Sequence, residues 1–115
     1  MATLTPVTPA LTGATMTPIA AAGGGDQFAN SRGNAFLYVK NGSGGALTVT
    51  LTAQTTARPA DGPFPAQTLA NNAVSVPAAG ERLIGPIPSA FNDGNGNVQI
   101  TYSGVTSLTV VPIQP

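Results

Sequence analysis

Four carboxylates, Asp26, Asp61, Glu81 and Asp93, and four cations, Arg32, Lys40, Arg58 and Arg82, are the whole ionic complement of the chain, which has no His and no Cys. Paired-acid hydrolysis needs two carboxylates roughly 5 to 10 Å apart around a cleft. No two of these acids stand close on an obvious shared face, so each reads as an ordinary structural or surface acid. The imidazole base, the imidazole or thiolate metal ligand and the thiol nucleophile are all missing. A Ser or Thr nucleophile would have only Lys40 as an activating amine. Lys40 ends an alternating apolar run and is expected to be a solvent-facing charge that blocks edge pairing. No catalytic residue and no cofactor is expected, and the chain reads as non-enzymatic.

One run imitates a metal site. Asp93-Gly94-Asn95-Gly96-Asn97 places oxygen ligands at alternate positions, as a calcium loop does at its start, but the twelfth position is Gly104 where a bidentate Glu should stand. An Asn-Gly hairpin turn is the expected reading, with no metal. Glu81 and Arg82 adjoin an apolar run, yet neighbouring residues on a strand point to opposite faces, so they read as two separate exposed charges.

The formal net charge is zero, and the dispersed cations offer no footprint for nucleic acid, whose affinity rests on many phosphate contacts. No apolar run approaches the ~20 residues that span a bilayer. The N-terminus has no basic region followed by an apolar core, so an unexported soluble product with no membrane partner is expected. Absence of Cys removes disulfides. Ile, Leu, Val and Phe number 26 among 115 residues, against 18 Ala and 25 Gly plus Pro. Such a core is thin, and a small domain of this kind gains stability from partner subunits, so a homo-oligomer is expected.

The elements that must position these residues are strands. From Ala35 to Lys40, Leu37 and Val39 share one face and Phe36 and Tyr38 the other; after Asn41-Gly42-Ser43-Gly44-Gly45, Leu47, Val49 and Leu51 alternate with Thr48, Thr50 and Thr52. Val74–Val76 and Glu81–Pro88 read as short and edge-type strands interrupted by Pro. Val98–Tyr102 and Val105–Val111 read as a terminal hairpin. No segment has a helical period. The expected fold is all-β, an antiparallel β-sandwich of about seven or eight strands, jelly-roll or Ig-like, over residues 23–115.

Residues 1–22 read as an extended Thr/Pro-rich N-terminal arm or a pair of edge strands. Leu4-Thr5-Pro6-Val7 and Met16-Thr17-Pro18-Ile19 repeat an apolar-Thr-Pro-apolar pattern twelve residues apart, and Gly23-Gly24-Gly25 reads as a flexible joint. Leu4, Pro6, Val7, Pro9, Met16, Pro18 and Ile19 are therefore candidate partner contacts. Residues 55–72 carry Pro59, Pro63 and Pro65 and read as a long loop able to hold a contact, so Pro63, Phe64 and Pro65 are candidates too. Phe28 and Phe91 lie in Gly/Pro/Asn-rich surroundings and are expected to plug an open end of the sandwich, whereas Phe64 reads equally as a plug or an anchor for a partner.

Gly24-Gly25-Asp26-Gln27-Phe28, Asn34-Ala35-Phe36-Leu37-Tyr38-Val39-Lys40-Asn41-Gly42 and Leu47-Thr48-Val49-Thr50-Leu51 together resemble small β-sandwich virion proteins of tailed bacteriophages. The resemblance continues through Val76–Pro86 and Val98–Thr106 and covers about residues 23 to 113. It implies a capsid decoration or cement protein on the outer capsid surface, assembled in the host bacterial cytoplasm, with the major capsid protein as partner. A trimer would suit the local symmetry axes of an icosahedral shell. Related sandwiches in necks and tails make a neck or a tail, receptor-binding or carbohydrate-binding module the alternative. In this reading the Thr-Pro arm tethers the protein, and removing residues 1–22 is expected to leave the sandwich intact but to abolish capsid binding.

Overall fold

The computed structural model describes residues 2–53, 56–58, 62–63, 67–68 and 70–115. The chain folds into two facing sheets. The first has the order β1 (Ala2–Leu4), β3 (Asp26–Ala29), β10 (Asn97–Tyr102), β5 (Leu47–Leu51) and β8 (Asn72–Val76). The second has the order β2 (Ile19–Ala20), β11 (Leu108–Ile113), β4 (Ala35–Asn41) and β9 (Glu81–Ile87). A separate pair joins β6 (Thr56–Arg58) to β7 (Gln67–Thr68). The all-β sandwich is thus the architecture. Seven strands come from residue 26 onward in the two main sheets, and the arm adds β1 and β2, one at the edge of each sheet.

Alternation explains the layering. In β4, Ala35, Leu37, Val39 and Asn41 are buried while Phe36 and Tyr38 are half-buried and Lys40 is exposed. In β5, β10 and β11 the inward residues Val49, Leu51, Val98, Ile100, Leu108 and Val110 are at most 1% exposed and form one apolar cluster with Phe28, Leu37 and Val39. Side chains of period two from both sheets meet between the layers, the geometry that lets a strand bury one face and solvate the other.

The expected terminal hairpin does not form. β10 pairs with β3 and β5, whereas β11 pairs with β2 and β4 in the opposite sheet. Residues 103–107 instead carry the chain from one sheet to the other, held by the Ser103 N–H donating to Thr48 O (2.9 Å) and by the Ser103 hydroxyl accepting from Thr48 N–H (2.8 Å). Crossing over brings Ile100 and Val110 into one core cluster from opposite sheets, and both are fully buried there. The Gly-rich segment after Asn41 makes a similar crossing, because β4 and β5 also lie in different sheets.

Gly25 is buried, with φ of 93°, and a Cβ there would stand 2.5 Å from Ile100 O. At Gly25 the expected flexible joint is instead a packed corner where two backbones approach closely. Phe28 lies in β3 and is fully buried in the centre of the core, not in a loop at an open end. Phe91 closes a short 3-10 turn, Ser89–Phe91, and is 7% exposed.

Candidate functional site

Each described carboxylate is engaged by the fold. Asp26, fully buried on β3, accepts the Tyr102 hydroxyl (2.7 Å) and the Ala22 N–H (3.2 Å) through Oδ2, which ties the start of β3 to the end of β10. Burial, and then the hydrogen bond to Asp26, push the Tyr102 phenol well above its ordinary value, so it stays protonated. Glu81 at the start of β9 accepts the Tyr38 hydroxyl at 2.5 Å, and that bond raises the Tyr38 phenol as well. Lys40 stands opposite Glu81 in the β4–β9 register and is exposed. Asp61 lies outside the described residues.

Asp93 builds a turn. Its Oδ1 accepts the N–H groups of Asn95 (2.8 Å) and Asn97 (3.0 Å), its Oδ2 accepts Gln99 Nε2 (2.6 Å), and its own N–H donates to Asn97 O (2.8 Å). The Asn97 and Asn95 backbone bonds, then the Gln99 amide, hold this carboxyl below its usual range. Both Asp93 carboxylate oxygens are thus engaged in bonds that close the turn. Among the described residues no three His, Cys, Asp or Glu gather as metal ligands. Gln99 Nε2 also donates to Gln27 Oε1 (2.7 Å), and Gln27 Nε2 donates to Thr3 Oγ1 (2.9 Å). A polar relay thus runs from Asp93 across β10 and β3 to β1, a cross-strand connection that spacing along the chain does not display.

The arm candidates divide into two groups. Leu4 is 4% exposed and paired opposite Phe28, and Ile19 is half-buried against the core on β2. Val7 forms a bridge to Ile113, with its N–H donating to Pro112 O (2.9 Å) and its carbonyl accepting Gln114 N–H (2.8 Å). These residues, with half-buried Pro6, fasten the arm to the sandwich. The expectation that removal of residues 1–22 leaves the sandwich intact is corrected by this placement: Leu4 and Ala21 belong to the core, and both edge strands would go with the arm.

Pro9, Met16 and Pro18 lie between those anchor points and are exposed. Val7, Pro9, Ala10, Ala14, Met16 and Ile113 line an open apolar cleft of about 150 Å³. Beside it Leu11 is 109% exposed, at a turn closed by Gly13 N–H on Ala10 O (2.9 Å). Leu11 is an exposed apolar side chain that the repeated Thr-Pro pattern does not pick out; the signal in the sequence is a lone Leu set between Ala10 and a Thr-Gly turn. Pro63 is exposed, and Phe64 and Pro65 lie outside the described residues.

A second slot of about 160 Å³ opens on the far side of the sandwich, where Leu51, Asn72, Ile84, Pro86, Ile87 and Phe91 meet. It contains no ionisable group. No helix among the described residues is long and apolar enough to cross a membrane. No family model, curated protein or solved structure matches this chain.

Proposed function

We propose that the chain is a non-enzymatic structural subunit of a tailed-phage virion, a head decoration protein that seats on the outer capsid surface and reinforces contacts between major capsid protein subunits. The observation that carries this reading is the segment from Thr8 to Pro18. It is anchored at both ends, by Val7 on Ile113 and by Ile19 on Val110, and it presents the apolar cleft with Leu11 and Met16 exposed. An exposed apolar knob and cleft on a domain with few charges and zero net charge fit a docking surface better than a catalytic one. The use of Asp26, Glu81 and Asp93 in structural hydrogen bonds agrees.

The strand-and-turn resemblance to virion sandwiches supports the same reading, and we infer a jelly-roll strand order. The row β3-β10-β5-β8 has the order of one jelly-roll sheet. The adjacent β4 and β9, with the β6–β7 pair, supply strands of the other, and β11 is an addition beside β4. That fold serves many functions, so its weight here is as analogy.

The test uses Leu11→Ser with Met16→Ser, since deletion of the arm would also strip β1 and β2. The double variant should melt as the wild type does and fail to cosediment with phage heads that the wild type coats. Full occupancy by the variant would overturn the role of this segment. Gold-labelled protein found at the neck or tail of purified particles, or a glycan array that responds, would overturn the decoration reading in favour of the tail or carbohydrate-binding one.

A further inference from the structure

Among the described residues the two main sheets have four edges, and three of them are blocked against further pairing. β1 is three residues long and is followed two residues later by Pro6; β2 is two residues long and directly preceded by Pro18. β9 carries Pro86, the bulge opposite Ala35–Leu37, and Arg82, which stands opposite inward-facing Val39 and so places a charge on the core side of an edge. Each of these is a known device for preventing edge-to-edge association. β8, Asn72-Ala73-Val74-Ser75-Val76, has no charge, no Pro and no Gly.

The hydrogen-bond pattern shows which groups this edge offers. In β5, Thr48 exchanges bonds with Ser103, and Thr52 N–H donates to Gln99 O, so the even-numbered residues of β5 direct their backbone groups toward β10. Leu47, Val49 and Leu51 therefore direct theirs toward β8, where they stand opposite Val76, Val74 and Asn72. The N–H and C=O groups of Ala73 and Ser75 consequently point away from the sheet. Both residues are small and exposed.

We propose that β8 pairs with β8 of a second copy of this chain, antiparallel about a two-fold axis at Val74. Ala73 then lies opposite Ser75 of the second copy, and each of these two pairs exchanges both backbone bonds, making four in all. Val74 meets its own counterpart as the closely spaced non-bonded pair, extending the apolar face already made by Val49. No charged side chain lies on the strand, so no like charges oppose each other across the axis. A five-residue edge is about 17 Å long, and its contact falls short of the roughly 1,200 Å² typical of stable complexes. The pairing is accordingly weak in dilute solution, with Kd on the order of 1 mM, and becomes effective where copies are held close together. Being two-fold, it links neighbouring copies and does not build a three-fold ring. It stands independently of the virion reading.

Amide exchange by NMR across a concentration series, together with sedimentation, tests it. Exchange at Ala73 and Ser75 should slow about two-fold as concentration rises to about 1 mM and about five-fold by about 10 mM, while Val74, bonded within the sheet, is protected throughout. Ala73→Pro removes an outward donor without touching the internal ladder, and Ser75→Lys sets charges across the axis; both should keep the wild-type melting temperature and lose the association. A protein that is monomeric over the whole series, amides at Ala73 and Ser75 that are protected at every concentration, or association that survives both substitutions would overturn the proposal.

Discussion

Asn30 precedes β4 and Asn41 ends it, and each, fully buried, organises the loop that carries the chain between sheets on its side. Asn30 Nδ2 donates to Ile87 O (2.9 Å) and Asn92 Oδ1 (3.0 Å), and its Oδ1 accepts the Ala35 N–H (3.0 Å) at the start of β4. Asn92 Nδ2 returns a bond to Asn30 O (3.0 Å). At the other end, Asn41 Nδ2 faces the carbonyls of Gly45 (2.9 Å), Val76 (3.0 Å) and Pro77 (3.2 Å), and its Oδ1 accepts from Ser43 N–H (2.9 Å) and hydroxyl (2.7 Å). A strand that changes sheets at both ends leaves loop backbone groups beside the core, and the two amides satisfy them.

Asn41→Ala is expected to cost about 2 to 3 kcal/mol, because buried carbonyls and the Ser43 donors lose their partner. In a domain of this size each kcal/mol is worth about 4 °C in melting temperature. Asn41→Asp, nearly isosteric, should be worse than Ala, since it turns a carboxylate oxygen toward three carbonyl oxygens. Thermal melts of the pair check this, and equal stability of the Asp variant and the wild type would refute the assignment of the Asn41 amide.

Gly25→Ala should destabilise by about 2 to 4 kcal/mol, the range for backbone strain combined with a steric clash. The cause is its φ of 93° and the 2.5 Å approach to Ile100 O. Gly44 has open space around the position a Cβ would take, so Gly44→Ala should stay within about 0.5 kcal/mol of wild type. Chemical denaturation midpoints of the two single variants separate a packed corner from an exposed turn.

The Asp93 carboxyl is depressed below its ordinary value of 3.8 in the folded protein by the Asn97 and Asn95 N–H groups and the Gln99 amide. The unfolded chain therefore binds this proton more readily, and the ionised carboxylate stabilises the fold at pH above the ordinary value. That contribution is lost as pH falls from there through the folded-state value. Asp93→Asn should show a shallower loss of stability than wild type over this acid range. Denaturation curves at neutral pH and at stepwise lower pH give the comparison, and parallel pH profiles would show that the turn draws nothing from the charge.

Composition and period by themselves determined much about this protein. Eight charges without His or Cys restrict its chemistry, and strict alternation in Leu47-Thr48-Val49-Thr50-Leu51 and Val98-Gln99-Ile100 assigns strands and their inward faces, because a side chain's direction along a strand follows from local backbone geometry alone. Partner strands do not follow from local geometry. Val98–Tyr102 and Val105–Val111 have the pattern of a hairpin, but the same alternation serves equally well for strands facing each other across a core, and only the closed packing of both sheets decided for the second. The tertiary structure likewise decided that Asp26, Asn30 and Asn41 are interior, since a polar residue is buried only where distant backbone groups converge on it. It also divided the arm, drawing Leu4 and Ile19 inward and leaving Leu11 and Met16 outside. The repeated apolar-Thr-Pro-apolar pattern is the same at both of its copies, and what differs is the surface that the folded sheets present to each.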